Sequence, residues 1–278
     1  MILEAKADGR KKGRLNLQGF REPPSWDRGP TDLPVAAHST IRSLVFKGGR
    51  KEEVISSIDV RTAFLQSDPY DPSDPPRYVY YTPYRGAKKI IKRLLGPLYG
   101  QRRASKQWYD TLSAFLKSIG FERGDNDPCV FVRGKLIVAL WVDDLLVRGL
   151  REESEVFYKE LGNRFDIKDP TYLDESNDKL CFVGCDIGRE VRGEEELYYI
   201  DQHNAMNNFL DECSVPQVAN VTSPMPNTTL LTSHDQLLDS HEASRFRSQM
   251  GSRSLNYFAH ALRYDIAYAT SGLSQFQA

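Results

Sequence analysis

The chain has 278 residues, of which 40% are hydrophobic and 27% charged, with a formal net charge of −1. That length accommodates one large domain or two smaller ones, and the near-zero charge argues against a uniformly polyelectrolyte-binding surface. No apolar run approaches the ~20 residues that span a bilayer, and "MILEAKADGRKKGRL" lacks the apolar core of a signal peptide.

The expectation is therefore a soluble, intracellular chain whose compartment is left open, with no membrane partner. The average charge hides an asymmetry. Arg85 to Gln107 holds eight Lys or Arg residues and no acid, whereas Arg151 to Ser240 holds 19 acidic and 7 basic residues, a net charge of about −12. Cys129, Cys181, Cys185 and Cys213 fit neither a dense disulfide framework nor a paired C-x-x-C zinc pattern. They read as packing thiols in a reducing compartment.

In chain order, residues 1–34 are first basic, then rich in turn formers ("REPPSWDRGPTDLP"). "EEVISSIDV" predicts a β-branched strand leading into Asp59, followed by helix-compatible "RTAFLQ". "SDPYDPSDPP" is a loop, because its prolines lack donors and its aspartates favour turns, and "RYVYYTP" a short strand. From Ser105, the residues Trp108, Leu112, Phe115, Leu116 and Ile119 recur at helical spacing until Gly120 closes the run. "CVFV-RG-KLIVALWV" predicts two strands about an Arg-Gly turn, with "LLVRG" a third after Asp143 and Asp144. "EESEVFYKELGNRF" is an amphipathic helix with acids in its first turn, as the helix dipole favours. "DKLCFVGCDI" and "ELYYIDQ" are strands; "HNAMNNFLDEC", 242–262 and 265–276 are helices, with a polar linker near 214–240.

The adjacent carboxylates need an explanation. An Asp-Asp pair between apolar strands is commonly a solvated hairpin turn. Here Val142 and Leu145 frame it, and partly buried like charges must be compensated. A divalent cation compensates them, and Mg²⁺ takes one or two carboxylates while keeping waters for a phosphate ligand. Asp59, at a strand end, would supply a third acid, and such a cluster suits two metals about 4 Å apart for in-line phosphoryl transfer. The alternative for Asp59 is a helix N-cap. Both readings stay open on these segments alone.

The motifs "SIDVRTAFL", "PLYGQRRASKQWYDTL" and "VALWVDDLL", in this order, resemble the palm motifs of copia-type LTR-retrotransposon reverse transcriptases. "KGRLNLQGF" resembles the fingers motif K-x-R-L-V-x-x-G-F, and "LPVAAHSTIRSL" the P-V-A-x-x-x-T-I-R segment. "CFVGCDI" with "LYYIDQ", and "FRSQMGSRSLNYFAHALRYDIAYATSGLSQF", resemble the later blocks, so the likeness covers nearly the whole chain.

The resemblance implies an α+β fold: a right-hand polymerase palm and fingers with an antiparallel palm sheet over 1–190, then a mostly helical thumb- or connection-like part over 191–278. It implies an RNA-directed DNA polymerase working with two Mg²⁺ ions, or Mn²⁺ in their place, held by Asp59, Asp143 and Asp144. Phe64 would sit under the incoming sugar and exclude a ribose 2′-hydroxyl; packing in the following helix is the other reading. Lys12 and Arg14 would grip the triphosphate, or else belong to a solvated basic arm. Tyr99 and Gly100 would form the template and base-pair platform, with Arg102 beside them among the substrate-binding residues. The basic run would neutralise phosphates of a template–primer duplex. The partners implied are an RNA template, a DNA primer, deoxynucleoside triphosphates, and the integrase and RNase H modules of a longer polyprotein. An active element would place it in a cytoplasmic particle or the nucleus.

Several positions depart from the family pattern: Ala104–Ser105 replaces Ser-Pro, Gln101 a Leu, Cys185 an Ile and Tyr264 a Pro, and Asn16 and Gln18 interrupt the fingers strand. The chain also begins almost at the fingers motif. It is expected to be a piece of a polyprotein. A degenerate copy that keeps only the fold and nucleic-acid binding is the alternative, and an unrelated two-metal nuclease a third reading.

Overall fold

The computed structural model describes residues 2–5, 11–26, 29–46, 52–82, 86–175, 177–193, 195–213, 223–225, 239–250 and 255–276. Two compact units emerge, Met1–Ser176 and Asn177–Ala278.

The first unit opens with a hairpin of β1 (Ile2–Ala5) and β2 (Lys11–Arg14), followed by α1 (His38–Phe46) and β3 (Glu53–Asp59). A second hairpin, β4 (Arg77–Tyr81) and β5 (Ile90–Leu94), precedes α2 (Ala104–Ser118). Then come β6 (Glu122–Arg123), β7 (Val130–Arg133), β8 (Leu136–Trp141), β9 (Asp144–Leu150), α3 (Arg151–Arg164) and β10 (Thr171–Leu173). The central sheet has six strands in the order β10-β3-β9-β8-β7-β6, every pairing antiparallel.

Strand β9 is buried from Leu145 to Gly149, which alternation alone does not give, because both faces of the sheet are covered. On one face Ser56 exchanges a 2.7 Å hydroxyl hydrogen bond with Tyr158 of α3. On the other, the buried Arg148 guanidinium donates from Nη1 to the carbonyls of Leu44 (2.7 Å) and Val45 (3.0 Å) in α1, and its Nε reaches Glu53 at 3.2 Å. Helix α2 buries Trp108, Leu112 and Leu116, one per turn, and Gly120 leaves it at φ +92°. The rings of Trp108 and Phe115 pack edge-on against Phe165 after α3, each at 5.2 Å.

The second unit holds β11 (Lys179–Phe182), β12 (Cys185–Arg192) and β13 (Glu195–Asp201) as one antiparallel sheet, then α4 (His203–Cys213), α5 (Ser240–Met250), α6 (Leu255–Ala261) and α7 (Ala267–Ser274). Leu180, Phe182, Ile187 and Phe258 are buried there, and Tyr257 donates its hydroxyl to the Val183 carbonyl.

Several expectations change. The units part at Ser176/Asn177, whereas a boundary at 190 would cut β12, which pairs with β13 along its length. The segment after Asp59 is only a 3₁₀ turn, Ala63–Gln66, with Thr62 at its N-cap position; Asp59 ends a strand and caps nothing. Strand β5 lies inside the basic run, where charges hide its period. The helix expected over 242–262 consists of α5 and α6, and residues 251–254 lie outside the described residues, as do 214–222 and 226–238 of the expected linker. Among the described residues no helix is long and apolar enough to cross a membrane.

Candidate active site

Strands β8 and β9 close on the register pair Trp141–Asp144, leaving Val142 and Asp143 as a two-residue turn. The Asp pair is thus both a hairpin turn and a strand start. Val142 has φ +56°, a backbone region that a β-branched residue adopts at a cost, and one for which hairpins of this length usually use glycine. Two contacts hold it there. The buried Trp108 of α2 donates its indole N–H to the Val142 carbonyl at 2.7 Å, and the Val60 amide donates to the Asp143 carbonyl at 2.9 Å.

The β3–β9 register sets Asp59 directly opposite Asp144. Residues so paired point to the same face, with Cβ atoms about 5 Å apart. Asp143 follows in the turn, exposed, its backbone bonded to the residue after Asp59. The fold therefore gathers Asp59, Asp143 and Asp144 at one corner of the sheet. The Asp144 carboxyl is pushed up to about 6, first by burial and then by the charges of Asp143 and Asp59, while Lys168 pulls the other way.

Lys168 is a site residue that sequence reasoning missed. The chain from Asp166 to Lys168 runs beside the end of β3, with Val60 bridged to Ile167 and the Lys168 amide donating to the Asp59 carbonyl at 2.9 Å. Its ammonium lies 2.9 Å from Asp59 Oδ1. No spacing signal in "FDIKDP" announces this; only the adjacency of strand ends does. Asp127 was missed too: its carboxylate accepts from the Ala37 amide (3.0 Å) and the Thr40 hydroxyl (2.6 Å), anchoring the start of α1.

Beyond the acids, Phe64 sits in the 3₁₀ turn with its ring 5.2 Å from that of Tyr99. Gly100 has φ +84°, and a Cβ there would collide with the Leu17 carbonyl oxygen. The Leu17 amide donates to the Tyr99 carbonyl at 2.7 Å, so the segment after β2 is clamped onto the Tyr99–Gly100 turn. Arg102 is exposed and reaches the Phe20 carbonyl at 3.4 Å. Lys12 and Arg14 lie in β2, and their side chains fall outside the described residues.

The sequence profile of the family described as reverse transcriptase (RNA-dependent DNA polymerase) matches residues 2–227. The chain belongs to this reverse transcriptase family. Among relatives, it is 31% identical over 279 residues to the retrovirus-related Pol polyprotein from transposon RE1 of Arabidopsis thaliana, covering 96% of this chain and 18% of that protein. It is 26% identical to the corresponding polyprotein from transposon TNT 1-94 of Nicotiana tabacum (99% and 21%) and 25% identical to the transposon Ty1-GR3 Gag-Pol polyprotein of Saccharomyces cerevisiae (99% and 16%). These relatives bear out the copia-type resemblance, and the chain spans about a fifth of their length. Solved telomerase structures from Candida tropicalis and Candida albicans are similar only at TM-scores of 0.36 and 0.33, with 12% and 13% identity, covering 53% and 56% of this chain and 36% and 33% of theirs.

For a reverse transcriptase the donor chemistry at this corner suits Mg²⁺: three hard carboxylate groups, two of them half-buried, beside the Lys168 ammonium. Among the described residues, however, no group of three His, Cys, Asp or Glu side chains is arranged to hold a metal ion. The backbone brings the acids together while Lys168 occupies one of them.

Proposed function

We propose that this chain is the polymerase part of a copia-type Pol polyprotein, extending a DNA primer on an RNA template with deoxynucleoside triphosphates. The first unit supplies palm and fingers, and the helices of the second a thumb- or connection-like part. The carrying observation is the Asp59–Asp144 register pair beside the Asp143 turn, in a chain of this family. Asp59, Asp143 and Asp144 would hold two Mg²⁺, with Mn²⁺ as a substitute. Such ions would supply Lewis acidity to lower the pKa of the primer 3′-hydroxyl and positive charge to offset that of the departing pyrophosphate.

The other roles fall to the chain itself. Phe64, braced by Tyr99, bars a ribose 2′-hydroxyl by bulk. Lys12 and Arg14 pair with triphosphate oxygens, where a guanidinium engages two at once. Gly100, lacking a side chain, lets the template base pair approach the backbone beside Tyr99. Arg102 and other cations of the basic run neutralise phosphates of the duplex. Further modules, integrase and RNase H, would complete the polyprotein.

Primer extension on a homopolymer RNA template tests this. Extension by the wild type, and a loss on the order of 10³-fold in Asp143→Asn, is expected. Extension that survives in the variant refutes the assignment, and template cleavage without extension favours a nuclease.

A further inference from the structure

The β4–β5 hairpin stands outside the six-stranded sheet, and its two faces differ sharply. One face is packed: Arg77 is buried, with its guanidinium 3.8 Å from the Tyr70 ring centroid. The other is open and apolar. Tyr78 is 55% exposed, Tyr80 66% and Ile91 70%. The register pairs Tyr78 with Arg93 and Tyr80 with Ile91, so strand alternation sets these four on one face, with Lys89 just before the start of β5. The Lys89 ammonium already lies 4.8 Å from the Tyr80 ring centroid.

An apolar face of this kind costs free energy in water and calls for an occupant. Its charge selects which. The cations on it are Lys89 and Arg93, and no acid occurs anywhere from Arg85 to Gln107. In the loop before β4, Asp74 is paired with Arg77, and the Asp71 carboxylate accepts from the Ser73 amide and hydroxyl. A protein partner would bring side chains of its own to such a face. Two tyrosine rings spaced along a strand by about 7 Å, with cations beside them and no anion, instead fit a polyanion with flat faces at regular intervals. Bases in a duplex are stacked on one another and cannot use the rings, whereas unpaired bases can.

The geometry points to the open face of the β4–β5 hairpin as a stacking platform for single-stranded nucleic acid, two bases resting on Tyr78 and Tyr80 while Lys89 and Arg93 meet the flanking phosphates. Strand β5 runs on through Leu95 to the Tyr99–Gly100 turn, so the natural occupant is the unpaired template ahead of the primer end. Only that last identification rests on the polymerase reading. Stacking on the two rings and charge from Lys89 and Arg93 do not distinguish ribose from deoxyribose, so RNA and DNA single strands are expected to bind alike.

Fluorescence anisotropy of labelled oligo(U) and oligo(dT) on the full chain tests the platform. In Tyr78→Ala/Tyr80→Ala, where both rings are exposed and the fold is checked by circular dichroism, the Kd for either strand rises about tenfold or more. Binding of a blunt duplex stays unchanged. In Lys89→Ala/Arg93→Ala, the slope of log Kd against log salt falls by about 1.4. Unchanged single-strand affinity in the tyrosine variant overturns the proposal. So does an equal loss of duplex binding, or loss of a self-associated species in sedimentation with strand binding intact. Wild-type chain that binds oligo(U) through these rings yet extends no primer leaves the platform standing and removes the polymerase reading. Primer extension with tyrosine variants that bind normally does the reverse.

Discussion

Asp144 carries a cost that its neighbours explain. Folded, its carboxyl holds a proton up to about 6, whereas the ordinary value is 3.8. The folded chain therefore binds more protons than the unfolded one between those values, and stability falls as pH rises from about 4 to about 6 and stays lower above. Thermal melts in chelator should show that fall in the wild type and lose it in Asp144→Asn, which melts higher than wild type above pH 6. Parallel pH curves for the two proteins contradict this. Lys168 bears on the same corner. Its ammonium competes with any divalent ion for Asp59, but the lysine end of the pair is about half exposed and the pair's worth is small. Lys168→Met should bind Mn²⁺ about two- to fivefold more tightly without nucleotide, read by electron paramagnetic resonance; weaker binding would show that the lysine aids the ion instead. The acids themselves stand out in the sequence, because charge inside an apolar run is conspicuous. Lys168 does not, since its role exists only once Val60 and Ile167 lie side by side.

At the scale of elements, the strands and helices of the first unit follow their periodicities closely, from β3 through α3. The exceptions have physical causes. The turn Ala63–Gln66 reads as helix because its composition suits one, yet Thr62 at φ +49° and a backbone tied to Asp166 allow a single tight turn. Strand β5 is obscured because charged, exposed residues occur on both of its faces, Lys92 on one and Arg93 on the other, and polarity is then no guide to alternation. Helix α1 is fixed to the sheet by Arg148, whose burial no local pattern signals. Removing that guanidinium strands Glu53 and two helix-end carbonyls in a dry environment. Arg148→Met should lower unfolding free energy by about 3 kcal/mol in denaturant titration. A loss under ~1 kcal/mol would mean that water replaces the guanidinium there.

Across the whole molecule, the family and the mixed architecture were legible in the sequence because seven ordered motifs carry them. The division into units was less so. Strands β11 to β13 continue the alternation of the first unit, and only their pairing with one another as consecutive hairpins, in a sheet separate from the six-stranded one, assigns them to the second.

The β3–β9 pairing has one more consequence. Asp59 and Asp144 face each other through the same alignment that directs Ile58 and Leu145 inward. A slip of a single position would turn the whole apolar set of one strand to the wrong side. Insertions or deletions within these strands therefore cannot silence the chemistry and spare the fold. Loss of the proposed chemistry in a chain that still folds would therefore come from substitutions, not from frame-preserving insertions or deletions in β3 or β9.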